Sequence, residues 1–79
     1  MPTVFRYKEF RFYFFSREET RKHIHVSSPE GEAKIWIEPE VSVANVINIS
    51  QQDINKIISL VKENLELINE HWNNHFSKN

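Results

Sequence analysis

The chain has 79 residues, no cysteine and a formal net charge of −1 with its four histidines neutral. That length allows one domain, 1–79, which buries only about 60% of its unfolded surface, so the six Phe, two Trp and two Tyr must supply a dense core. Disulfides and cysteine-held zinc are excluded, a marked basic excess of the kind common in nucleic-acid binders is missing, and no apolar run approaches the roughly 20 residues of a membrane span. The N-terminus has no apolar core of a secretory signal, so the expected location is cytoplasmic. Basic residues gather early, at Arg6, Lys8, Arg11, Arg17, Arg21 and Lys22, which permits a local basic face.

With Gly31 as the sole glycine and three prolines, punctuation is sparse. Thr3 to Tyr7 reads as a first strand and Lys8-Glu9 as a tight turn without Asn-Gly chemistry. From Phe10 to Phe15, Phe10, Phe12 and Phe14 alternate with Arg11, Tyr13 and Phe15, the period of a strand with the first set in the core. Ser16 to Lys22 is charged and reads as a loop or a helical turn. His23 to Val26 is a third strand, with Ile24 and Val26 on one face and His23 and His25 on the other. Ser27 to Glu32 is a turn in which Gly31 is suited to a positive φ. Ala33 to Glu38 is a fourth strand: Ala33, Ile35 and Ile37 face the core, while Lys34, Trp36 and Glu38 share the histidine face. Pro39 ends it. Val41 to Ile49 reads as a short strand plus a connecting turn.

The last third is a helix. Ser50 is a suitable N-cap, with Asp53 three residues on, and Ile49 and Ile54 could staple the entry. Ile54, Ile58, Val61, Leu65, Ile68, Trp72 and Phe76 recur at steps of three and four and make one apolar stripe. The expected fold class is therefore α+β: a small antiparallel sheet of about four strands, roughly residues 3–48, packed against one long C-terminal helix, about 51–76. Leu60 and Leu67 fall off the stripe and, if exposed, would offer a second contact surface.

His23 and His25 are the sharpest chemical feature. Two imidazoles at i and i+2 leave the same strand face about 6–7 Å apart. They suit acid and base work around a phosphodiester, flanked by Arg11, Tyr13 and Lys34, whose charge would stabilise a developing anion. The pair could instead hold a metal with Glu38, or with His71 and His75 at i and i+4 on the helix, as further ligands. It could equally line a half-exposed face and bond to its neighbours. Trp36 on that face could stack a base or anchor a partner. Gly-rich phosphate loops, Gly-x-Ser-x-Gly and His-Glu-x-x-His are missing, so P-loop hydrolysis and serine hydrolase chemistry are not expected.

Pro2-Thr3-Val4, the run Phe10 to Ser16, His23-Ile24-His25-Val26, the run Gly31 to Pro39, Val61 to Asn64, and the terminal Trp72 and Phe76 together resemble the bacterial and archaeal family catalogued as domain of unknown function 4160. The resemblance covers essentially the whole chain. Members typically carry Pro where Lys22 stands and Gly where Lys8-Glu9 stands. It implies no reaction. It does imply a partner, because such genes often sit beside one for the domain of unknown function 2442 family, and the pairs have been proposed as toxin–antitoxin modules.

Three functions are then in play. The first, narrowly ahead, is a small protein-interaction module, one component of a toxin–antitoxin-like pair, using Trp36, His23, His25, Leu60 and Leu67, with a small partner encoded nearby and a homodimer as an added source of burial. The second is a metal-independent ribonuclease or RNA-binding protein using His23, His25, Tyr13, Arg11 and Lys34. The third is a metal protein built on His23, His25, His71 and His75. No cofactor is expected and a metal is not favoured. A single basic cleft of Arg11, Lys34 and the histidines would favour the second; a flat apolar face around Trp36 would favour the first.

Overall fold

The computed structural model describes residues 3–15 and 21–76. Five strands precede two helices: β1 (Thr3–Tyr7), β2 (Phe10–Tyr13), β3 (His23–Ser27), β4 (Glu32–Trp36), β5 (Ser42–Ile47), α1 (Gln51–Glu63) and α2 (Leu65–Phe76). The strands form one antiparallel sheet in the order β1-β2-β3-β4-β5. The α+β class holds, with five strands where about four are expected, because the Val- and Ile-rich stretch after Pro39 pairs fully with β4. The charged loop expected from Ser16 to Lys22 lies, for residues 16–20, outside the described residues.

Alternation explains which face each strand gives to the core. Phe10, Phe12, Phe14, Ile24, Val26, Ala33, Ile35 and Ile37 are buried together with Ile54, Ile57, Val61, Ile68 and Trp72 of the helices. Phe5 of β1 stands opposite Phe12, and the two rings stack at 4.2 Å. The helices therefore cover one face of the sheet and leave the other without a layer among the described residues.

The tight turn expected at Lys8-Glu9 forms, whereas the turn at Gly31 is made differently from the sequence expectation. Tyr7 and Phe10 pair across a two-residue turn in which Lys8 takes φ 53°, a region non-glycine residues enter at a cost. Gly31, by contrast, has no positive φ. Its requirement is space: a Cβ there would collide with the carbonyl oxygens of Ile47 and Asn48 and sit 2.8 Å from the Asn48 carbonyl carbon. Asn48 takes the positive φ instead, at 56°, and its side-chain amide donates to the Glu30 carbonyl at 2.8 Å, as Asn does where local bonds repay the left-handed conformation.

The single long helix is corrected to two. Ser50 caps α1 as expected, its hydroxyl accepting from the Asp53 N–H at 3.1 Å. At Asn64 the backbone turns to φ −111°, ψ 21°. Its N–H donates to the Leu60 and Val61 carbonyls, its side-chain amide donates to the Leu60 carbonyl at 2.8 Å, and its own carbonyl accepts from Ile68. Asn64 thus closes one helix and opens the next. Ile57, rather than Ile58, is fully buried, and Ile58 is half-buried against the core. Leu60 also packs against the core and Leu67 is half-buried, so the exposed leucine pair expected on the helix does not exist.

Candidate functional site

Register gives the open face its order. Thr3 of β1, Tyr13 of β2, His25 of β3, Lys34 of β4 and Asn45 of β5 are successive cross-strand partners, so one row of side chains crosses all five strands. Beside it, His23, Trp36 and Ser42 form a second, shorter row. A bulge between the Lys34 and Ile35 pairings sets Asn45 opposite Lys34 and Val43 opposite Ile35.

The rings in these rows touch. His25 lies 5.6 Å from Tyr13 in a stacked arrangement and 4.3 Å from Phe15. Tyr13 meets Phe15 edge-on at 5.4 Å. His23 stands edge-on to His25 at 5.0 Å and to Trp36 at 5.7 Å. Cations sit on the outer rings: the Arg21 guanidinium 4.0 Å and the Lys34 ammonium 4.5 Å from the Trp36 centroid, and the Arg11 guanidinium 4.5 Å from that of Tyr13. Each is well inside cation–π range. Arg11 is further held by its Nε–H bond to the Thr3 hydroxyl at 2.7 Å, and Arg21 by its Nε–H bond to the Glu38 carbonyl at 2.9 Å.

The sequence places His23, His25, Tyr13, Arg11, Lys34 and Trp36 on one face, and the structure brings all six together. Two of the six are not open. His23 is 1% exposed and Tyr13 8%. The His23 Nδ1–H donates to the Arg21 carbonyl at 2.7 Å, and Trp72 of α2 approaches the same ring to 5.7 Å. Trp72 also meets Phe14 edge-on at 5.4 Å. The helix end therefore closes the end of the sheet over His23, and the Lys22 ammonium reinforces that closure by donating to the Asn69 side chain at 2.9 Å. His25 remains half-exposed. The His23 ring is thus enclosed, with its Nδ1–H committed to a backbone carbonyl.

His75 lies elsewhere. It meets Phe76 edge-on at 4.3 Å and donates through Nε2 to the Phe15 carbonyl at 3.3 Å. It ties α2 to the end of β2 and does not converge on the strand pair. Among the described residues no group of three or more His, Asp or Glu stands close enough to hold a metal ion.

Three residues of the face are not among the site candidates named from the sequence. Phe15 is 38% exposed, Arg21 lies in the charged loop, and Asn45 lies in the ambiguous stretch before the helix. The odd-numbered alternation of Arg11, Tyr13 and Phe15 carries the signal for the first; nothing local marks the other two. Phe15, Tyr13, His25, Lys34, Glu32 and Asn45 surround a depression of about 180 Å³.

The family model for Domain of unknown function (DUF4160) matches residues 9–73, and the chain belongs to that family. No curated protein matches the chain. No solved structure matches it. No helix among the described residues is long and apolar enough to cross a membrane.

Proposed function

We propose that this chain binds single-stranded RNA on the open face of its sheet. The observation that carries the reading is the pairing of rings with cations: the half-buried Trp36 with Arg21 and Lys34, and Tyr13, itself buried, with Arg11. A single strand needs both, a π-surface for each base and a positive charge for each phosphate. Guanidinium planes stack bases as rings do, so an Arg lying on Trp36 extends the platform. The overall charge of −1 conceals an uneven distribution. Asp53, Glu63, Glu66 and Glu70 outnumber Lys56 and Lys62 in the helices, whereas at the open face Arg11, Arg21 and Lys34 outnumber Glu32. Because His23 is enclosed, the reading is binding without a two-histidine cleavage step.

The test is fluorescence anisotropy of a labelled RNA oligonucleotide as salt is raised. Single-strand binding loses affinity with a log–log slope of about −0.7 per phosphate neutralised, so three cations give a slope near −2. An oligonucleotide that fails to bind even at low salt would refute the reading.

A protein partner is the second reading, and a different element favours it. β5 is a sheet edge with no charged residue between Ser42 and Ile47, and Val43 and Ile47 are 43% and 50% exposed. Such an edge accepts an added strand. The opposite edge, β1, carries Arg6 and is followed by Lys8, which discourage addition there. The partner would then be an extended segment laid along β5, and a homodimer through β5 is the same chemistry with a second copy. Size-exclusion chromatography with light scattering of this chain, alone and with the product of a neighbouring small gene, distinguishes the two; a monomer under both conditions contradicts both.

A further inference from the structure

The geometry points to an adenine subsite in the depression beside Lys34, an inference that rests on the RNA reading and specifies it. Its wall is aromatic: Phe15 and His25 at 4.3 Å, with Tyr13 5.4 Å from Phe15. Phe15 is 38% exposed and lines the depression, and a partly exposed ring beside a concave site is a stacking surface for a base. At about 180 Å³ the depression has room for one base and not for a folded segment of protein.

The polar part of the lining decides which base. Asn45 and Glu32, on β5 and β4, supply it together with Lys34. Asn45 offers a carbonyl oxygen and an amide N–H side by side, the pair that matches the exocyclic amine and N7 of adenine. The Glu32 carboxylate only accepts, so it favours a base bearing an amine and disfavours the two carbonyl oxygens of uracil. Lys34, the cross-strand partner of Asn45, lines the same depression and would meet a phosphate flanking the base. Asn45 is thus a specificity-determining residue, and Phe15 and His25 are the platform.

One titration series separates this inference from the reading beneath it. Oligoadenylate and oligouridylate of equal length are compared by anisotropy at low salt, with the wild-type chain and with Asn45→Ala. One bidentate contact discriminates between bases by about 1–3 kcal/mol, of which the low end corresponds to roughly five- to tenfold in affinity. Oligoadenylate is expected to bind the wild type about tenfold more tightly than oligouridylate, and Asn45→Ala to bring oligoadenylate down to the oligouridylate level. Equal binding of the two by the wild type, or an adenylate preference that survives Asn45→Ala, overturns the subsite and leaves RNA binding standing. Failure of both oligonucleotides to bind overturns the subsite and the RNA reading together.

Discussion

The Arg21 guanidinium lies 4.0 Å from the centre of the Trp36 ring, although fifteen positions separate the two in sequence and a turn lies between them. The contact is possible because β3 and β4 pair with His23 opposite Trp36, which draws the residues just before β3 alongside the end of β4. The Arg21 Nε–H bond to the Glu38 carbonyl fixes the guanidinium in that place. A cation held over an indole at the margin of an open sheet face is the feature on which the functional reading turns.

Trp36→Ala removes the platform beneath Arg21 and Lys34. Base stacking contributes about 1–3 kcal/mol per base, so RNA affinity is expected to fall about tenfold or more while the fold is kept, because Trp36 is only half-buried and lies off the core. Anisotropy gives the first quantity and circular dichroism the second. Unchanged affinity in a folded variant contradicts the placement of the site.

His23→Ala is expected to destabilise the protein. The ring is enclosed by Trp36, His25 and Trp72 and bonds to the Arg21 carbonyl, so truncation leaves a cavity and a carbonyl without its donor. The combined cost is about 2 kcal/mol, or about 10 °C in Tm for a domain of this size. His25→Ala, at a half-exposed position, should cost less than half of that. Thermal melts of the two single variants check the asymmetry; equal, small shifts would show that His23 is not enclosed.

Gly31→Ala tests the close passage of β5 over the turn before β4. A Cβ would run into the Ile47 and Asn48 carbonyl oxygens, backbone atoms that cannot swing aside as a side chain can. Overpacking of this kind costs about 1–3 kcal/mol. Chemical denaturation should show a lower midpoint with an unchanged slope; a neutral substitution would mean that the strand shifts freely.

The double substitution Val43→Lys and Ile47→Lys guards the β5 edge in the way natural edges are guarded. The two side chains are largely exposed, so thermal stability should change by no more than about 0.5 kcal/mol per site. Any self-association or strand-adding partner should be lost. Light scattering and co-purification report it, and a complex that survives the change does not form along β5.

What the sequence made legible depended on alternation. His23-Ile24-His25-Val26 and the run from Ala33 to Ile37 assign their own faces, and antiparallel pairing then places Tyr13, His25 and Lys34 in one row without further information. The cap at Ser50 was legible because Ser followed by an acidic residue at the third position is a local signal. The enclosure of His23 was not, since Trp72 arrives from the far end of the chain. Nor was the interruption at Asn64: Val61, Leu65 and Ile68 keep helical spacing straight across it, so the apolar stripe hides a break made by one side-chain amide. The role of Gly31 was misread because positive φ is the commoner reason for a glycine in a turn, while here the constraint comes from a strand that follows it. The face of Asn45 depended on the β5 bulge, which no local pattern announces.

The most direct test of RNA binding by the open sheet face is the salt dependence of RNA affinity for the wild-type chain beside Lys34→Ala. A log–log slope near −2 is expected for the wild type, made shallower by about 0.7 in the variant. No binding at low salt, or a slope that Lys34→Ala leaves unchanged, would contradict the account.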